Sequence, residues 1–251
     1  MPASGSTSTG SVLGFRVDEL WLADIDAAVQ LHQTVMAGEF LAGCGSRFLR
    51  GYYRAWMHTP TAIAMAARET ETGQLIGLLL GSGDPATHYR SMVRHSGLRL
   101  GVQLGVRAIS HPAWGDWLVR SRGLRYLRGI LRLSVRRRAT TTEPSAARAD
   151  AGPRDAYRVG EITHLMVDQP FQGHGIGRAL VEEACRRARL FGVDRMVVVT
   201  PAGWSAERFY TRLGWTCRGE VRSASGEHFV RYEHRLAASS PSGGACGGRS
   251  G

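Results

Sequence analysis

Apolar and polar positions change their period several times along the chain, and each change predicts an element. FRVDEL (15–20) reads as a strand. Asp24 then stands as the N-cap of a helix whose apolar face is Ile25, Ala28, Val29, His32 and Val35 or Met36. On such a face His32 reads as a core histidine with its hydrogen bonds satisfied. A second helix is predicted around 46–57, with Phe48, Leu49, Tyr52, Tyr53 and Trp56 as core residues that can also line a pocket. TAIAMAARE (61–69) and QLIGLLLGSG (74–83) are strand-like runs joined by a turn at Thr72-Gly73, a hairpin pattern. Between Leu98 and Ile109 apolar residues alternate, but Arg99, Gln103 and Arg107 form an i, i+4, i+8 stripe, which decides for helix. Ser110-His111-Pro112 ends it. From Asp116 to about Arg136, Leu124, Leu127 and Leu131 share one face and Arg125, Arg128, Arg132 and Arg136 another, a basic amphipathic helix. The second half predicts strand 161–167, a glycine turn at 172–177, helix 176–190, strand 195–200, helix 205–213 stopped by Gly214, and strands near 215–222 and 227–234 around a Ser225-Gly226 turn.

Composition narrows the class. At 251 residues, 43% hydrophobic and 21% charged, the chain has room for one large domain and is too apolar to be disordered throughout. The Ser/Thr/Gly-rich stretches 1–11 and 237–251 read as tails, and 139–156, with Pro144 and Pro153, as a mobile linker. A single domain over 12–236 is expected, with an Arg-rich helical insertion at 85–138 and a flexible linker at 139–158. All 32 basic residues are arginine, which excludes a lysine nucleophile or Schiff base. The net charge of +11 is concentrated between Pro85 and Arg138, where twelve arginines face a single acid, Asp116. Cys44, Cys185, Cys217 and Cys246 show neither a close pair nor metal spacing, so they read as reduced thiols of a cytoplasmic protein, and no metal is expected. The opening MPASGSTSTG lacks the basic and apolar regions of a signal peptide, and no apolar run approaches the roughly 20 residues of a membrane span.

A strand that feeds a glycine-rich turn and then a helix is an anion site, because the first helical N–H groups lack intrahelical partners and the helix dipole is positive there. Gly173, Gly175 and Gly177 let a diphosphate approach the backbone. The spacing does not fit a dinucleotide fingerprint, and the lysine of a P-loop is missing. Gln172-Gly173-His174-Gly175-Ile176-Gly177 instead resembles the Q/R-x-x-G-x-G/A motif of the GCN5-related N-acetyltransferases. Ala206 to Trp215 (AERFYTRLGW) resembles that family's A-x-x-F-Y-x-x-x-G-F/W segment. The resemblance covers 161–235 by motif and 13–84 by element order only, and it does not account for 85–158. It implies an α/β (α+β) GNAT fold: a central mixed, mostly antiparallel twisted sheet flanked by helices, here with a helical insertion between the third and fourth strands.

The resemblance further implies acetyl transfer from acetyl-CoA to an amine in a ternary complex. Gln172, Gly173, His174, Gly175, Ile176, Gly177 and Arg178 would hold the diphosphate. A backbone N–H at Met166 or Val167 would polarise the thioester carbonyl, and Tyr210 would protonate the departing thiolate. The physical demands agree. A thiol of pKa about 8.5 leaves readily with one weak acid's help, whereas an ammonium of pKa about 10.4 costs about 4.6 kcal/mol to deprotonate at pH 7, so a base or a desolvating pocket is needed. An oxyanion donor would supply most of the remaining help. Glu161, eleven residues before Gln172, matches the position of a catalytic glutamate in histone-acetylating relatives and is the candidate base. In an unbroken strand Glu161 and Thr163 share a face and His164 points the other way, so His164 rivals Glu161 only if a bulge shifts the alternation. Where the family has Asn, three residues before the motif alanine, this chain has Gly203, and Ser205 could take over some bonding to the pantetheine arm.

For the Arg-rich insertion three readings compete: a lid over a small amine or peptide N-terminus, a docking face for an acidic partner such as tRNA or a protein, and a membrane-surface helix. The lid is preferred, since an apolar stripe packs on its own domain and arginine stripes are usually solvated. The alternatives to a small-molecule or peptide acceptor are therefore an aminoacyl-tRNA or protein amine, or an acetyl-CoA-binding module without catalysis.

Overall fold

The structure, a computed structural model, describes residues 14–110, 158–222 and 226–236. Its elements run β1 (Phe15–Glu19), α1 (Ile25–Val35), α2 (Phe40–Gly43), α3 (Ser46–Met57), β2 (Ala62–Glu69), β3 (Leu75–Ser82), α4 (Pro85–Ser110), β4 (Val159–Val167), α5 (Ile176–Leu190), β5 (Arg195–Pro201), α6 (Ser205–Arg212), β6 (Thr216–Arg222) and β7 (His228–Arg235). The strands form one sheet in the order β1-β2-β3-β4-β5-β7-β6. All neighbours are antiparallel except β4 and β5.

Each face of the sheet carries its own apolar core. On one face α1, α3 and α4 cover Ala66, Leu78, Leu80 and Met166, with Leu49, Tyr53 and Trp56 at the centre. On the other, α5 covers Met65, Ile76, Leu79 and Ile162 with Ile176, Leu180 and Ala184. β3, buried along its whole length, separates the two cores and is apolar at nearly every position for that reason. α3 and α5 occupy the spans their apolar stripes predict. The 61–83 region is the expected hairpin, with Gly73 at φ 72° in its turn.

Two expectations change. Asp24 does occupy the N-cap position of α1, but its side chain makes no capping bond: a short 3-10 turn (Leu22–Asp24) precedes the helix, and the Asp24 carboxylate accepts from the Trp21 N–H (2.7 Å) and pairs with the buried Arg68. The helix predicted over 98–109 begins much earlier, at Pro85, where Asp84 accepts from the Thr87 N–H at 3.0 Å. The amphipathic helix expected at 116–136, the linker and both tails lie outside the described residues. No helix among the described residues is long and apolar enough to cross a membrane.

Strand β4 carries a bulge. Leu80 lies opposite His164 but Gly81 lies opposite Ile162, so Thr163 is the extra residue, and its hydroxyl donates to Leu80 O (3.0 Å). Gly81 makes this possible. A Cβ there would stand 2.6 Å from Glu161 O, and the Trp56 indole N–H donates to Gly81 O (3.2 Å). Gly81→Ala should therefore destabilise the protein by about 1–3 kcal/mol, the usual cost of forcing an extra methyl into packed backbone. A lowered urea midpoint with unchanged slope would show it, and an unchanged midpoint would mean the bulge relaxes freely.

Candidate active site between strands four and five

β4 and β5 are parallel neighbours for only four residues each, Val159–Ile162 beside Arg195–Val198. Beyond them β4 stays with β3 and β5 with β7, so a gap opens in the sheet. Asp168 N–H donates to Ile76 O (2.9 Å). Strand N–H groups alternate between edges, so Met166 also turns its N–H toward β3, while Leu165 and Val167 turn theirs toward the gap. Of the two positions expected to offer an oxyanion donor, Val167 therefore faces the opening. The Met166 side chain is buried under α1 and α3.

The glycine turn lies at the end of β4. The Gln172 side-chain amide donates to Val167 O (3.0 Å), which ties the turn to the strand. Gly173 (φ 82°) and Gly175 (φ 84°) adopt left-handed conformations, and a Cβ on either would meet nothing within 4 Å, so the backbone there borders open space. Gly175 is the N-cap of α5, whose first intrahelical bond reaches Ala179 N–H. The N–H groups of Ile176, Gly177 and Arg178 are thus free of helical partners, at the positive end of a 15-residue helix. Gln172, Gly173, His174 and Gly175 are exposed and Ile176 is buried as the first core residue of α5. A Cβ on Gly177 would touch the Phe209 ring at 3.4 Å, so that glycine permits α6 to approach α5. The exposed Arg178 pairs with Glu182 (2.8 Å).

Ser205 opens α6 and is exposed. Gly203, where the motif has Asn, sits at φ 82° and its N–H donates to the Glu207 carboxylate. Gly and Asn are the residues that tolerate this backbone region, so the substitution keeps the turn and removes one side chain. Tyr210 is buried among Phe209, Trp215 and Tyr232 on the α5 face. Burial, and then nearby Cys185, push its phenol well above the ordinary value, so it carries its proton.

Glu161 lies on the opposite face. Ile162 points into the α5 core, and Glu161 meets Tyr89 of α4. Burial raises its carboxyl above 4.5, a hydrogen bond from Tyr89 opposing, and Oε1 is buried without a partner among the described residues. The bulge turns His164 to this same face, against His32, Tyr52 and Trp56. The candidate base and acid thus stand on opposite faces of the sheet. Three imidazoles line the Glu161 side. His88 contacts Trp56 (ring centroids 4.1 Å apart), and burial lowers His32 and His88 to about 4 and His164, with help from His32, to about 3. The sequence marked His32 as a satisfied core residue. Its Nδ1 does meet Tyr53 Oη (2.9 Å), but its Nε2 has no partner, and Glu39 and His164 converge on it without any sequence signal.

The arginine stripe on α4 is not wholly solvated. Arg107 Nε donates to Gly43 O (2.9 Å), and Arg99 joins Arg47, Arg50 and Arg54 of α3 around a groove of about 560 Å3 that also exposes Leu98 and Val102.

Residues 131–215 match the model of the acetyltransferase (GNAT) family. The fold is similar to that of a protein assigned as an acetyltransferase from Acinetobacter baylyi ADP1 (13% identity, 91% of this chain and 96% of that chain, TM-score 0.54). It is also similar to an N-acetyltransferase from Staphylococcus aureus Mu50 (10%, 89% and 99%, 0.51). A third likeness is to yncA of Salmonella typhimurium, assigned as an acetyltransferase and determined with its cofactor acetyl-CoA (13%, 88% and 94%, 0.50). No curated protein matches the sequence. Likenesses at these identities show the fold. The family match spans the glycine turn and the tyrosine helix.

The buried histidines make a prediction. Unfolded histidines titrate near 6.5. Between there and about 4 the unfolded chain binds protons that the folded chain refuses, so the histidine contribution to stability is full above 6.5 and is lost as pH falls through about 4. Urea midpoints should fall across that window, and less steeply in His88→Phe. An identical slope in that variant would mean that His88 is not buried neutral.

Proposed function

We propose that the protein moves an acetyl group from acetyl-CoA to the primary amine of a small molecule or of a short peptide's N-terminus, in the cytoplasm, by direct attack in a ternary complex. The observation that carries this is the gap that opens between β4 and β5 after Ile162, with the glycine turn of α5 at the end of β4 and Glu161 on the opposite face of the sheet. The turn fits the cofactor because its glycines leave the backbone bare and the helical N–H groups unpaired. Bound acetyl-CoA supplies an acetyl thioester. The amides from Gly173 to Arg178, with Gln172 and His174 beside them, hold the diphosphate, Ser205 bonds the pantetheine arm, and the Val167 N–H donates to the thioester oxygen. Glu161 takes the proton of the acceptor's ammonium, which frees the nitrogen lone pair to form the C–N bond. As the C–S bond breaks, Tyr210 gives its proton to the sulfur.

The acceptor side supports a small amine. Tyr52, Trp56 and His164 line it with rings that carry no charge at neutral pH, so an amine loses hydration there and meets the Glu161 carboxylate. The groove of Arg47, Arg50, Arg54 and Arg99 supports a second reading, an aminoacyl-tRNA or protein acceptor docked through phosphates or carboxylates. Thiol release from acetyl-CoA, measured with small amines and peptides in one pool and aminoacyl-tRNA in another, separates the two. Turnover with the first pool alone supports the small-amine reading. Turnover with the second alone, falling steeply with salt, supports the docked one. Binding of acetyl-CoA without turnover in either makes the protein a non-catalytic module.

Glu161→Gln should lower kcat by about 100-fold or more. In the unaltered protein the rate should rise with pH through the raised Glu161 pKa and then level, a limb the variant lacks. Tyr210→Phe should lower kcat by a similar factor with KM for acetyl-CoA little changed. A rate equal to that of the parent would remove Tyr210 from the acid role.

A further inference from the structure

We propose that His32, Glu39 and His164 form a binding site for a divalent transition-metal ion of the zinc class. One ligand atom from each residue lies within 4.8 Å of the other two. His32 comes from α1, His164 from β4 just after the bulge, and Glu39 is the N-cap residue of α2. Each imidazole also carries a bare nitrogen: His32 Nε2 and His164 Nδ1 are both buried, and neither has a hydrogen-bond partner among the described residues. Two orphaned ring nitrogens on histidines that converge with a carboxylate are costly unless something bonds them. Two histidines and one carboxylate are the donor set of an open zinc site, with a fourth position left for water or another ligand.

The surroundings are those of a metal ligand. The far nitrogen of His32, Nδ1, is held by the Tyr53 hydroxyl at 2.9 Å; with Nδ1–H donating, the Nε2 lone pair points at the site, as outer partners of ligating histidines arrange it. Burial keeps both rings neutral, so neither has a proton to give up. Zinc bonds of about 2.0–2.2 Å require the three atoms to draw closer than they stand. Glu39 is exposed, so its side chain is free to make that approach. Binding would fasten the connection between α1 and α3 to β4 on the Glu161 face. The inference is independent of which amine is acetylated.

The test uses the tag-free full chain, stripped with a chelator, dialysed and titrated with Zn2+ by calorimetry, with bound metal counted by mass spectrometry. One ion per chain at micromolar affinity or tighter is expected, together with a raised melting temperature and, with Co2+, intense visible bands of a four-coordinate site. Glu39→Gln, at an exposed position that leaves the fold intact, should weaken binding by about 10-fold or more, and His164→Ala should abolish it. Absence of uptake at millimolar Zn2+ would overturn the proposal and leave water as the bridge. Uptake unchanged in both variants would also overturn it and point to a surface thiol such as Cys217, which is exposed.

Discussion

The structure depends on β4 giving up its partner halfway along. A parallel strand pair normally satisfies its backbone groups along its length, and an N–H or C=O left unpaired away from water is expensive. Here the pairing with β5 stops at Ile162, and the Leu165 and Val167 amides face a gap. The strand tolerates this because it is anchored elsewhere. β3 holds its other edge to Val167, Thr163 closes the bulge with its hydroxyl, and Gln172 takes the Val167 carbonyl. What remains free are donors pointing at one place, which is what a carbonyl about to gain negative charge requires.

The bulge also decides which chemistry meets that gap. One extra residue brings Glu161 and His164 to the same face, under α1, α3 and α4, and leaves the α5 face to the glycine turn and the tyrosine helix. Each face then has a distinct electrostatic character. The α5 side presents the positive end of a helix to an anion. The other is a desolvated layer of aromatic rings and uncharged imidazoles, beside which a carboxylate keeps its proton to a higher pH than in water. One sheet thus presents opposite environments on its two faces.

Much of the fold was legible in the sequence. The four-residue stripes of 46–57 and 176–190 marked α3 and α5 to the residue, because each buries one continuous face. The glycine turn and AERFYTRLGW carried the resemblance, and both lie within the stretch that matches the family model. The first half of α4 was not legible, since its buried residues, His88 and Met92, are few and one is polar. The bulge was not legible either. EITHLMV reads as an ordinary strand, and the cause lies in Gly81 and Trp56, far away in the chain. The face taken by His164 therefore stayed open in the sequence, and so did its meeting with His32 and Glu39, which only tertiary packing brings about. Gly203, a departure from the motif, has its explanation in φ 82°, a conformation that sequence does not display.

The groove between α3 and α4 has a chemical consequence beyond its charge. It is built from guanidinium groups, and the whole chain holds 32 arginines without a single lysine. An activated acyl thioester modifies any free amine near it, and lysines close to such a reagent are slowly lost as cations. Arginine, protonated at any pH a protein experiences, offers no nucleophilic nitrogen. A positive surface built from arginine alone is therefore immune to such a reagent and keeps its charge in its presence.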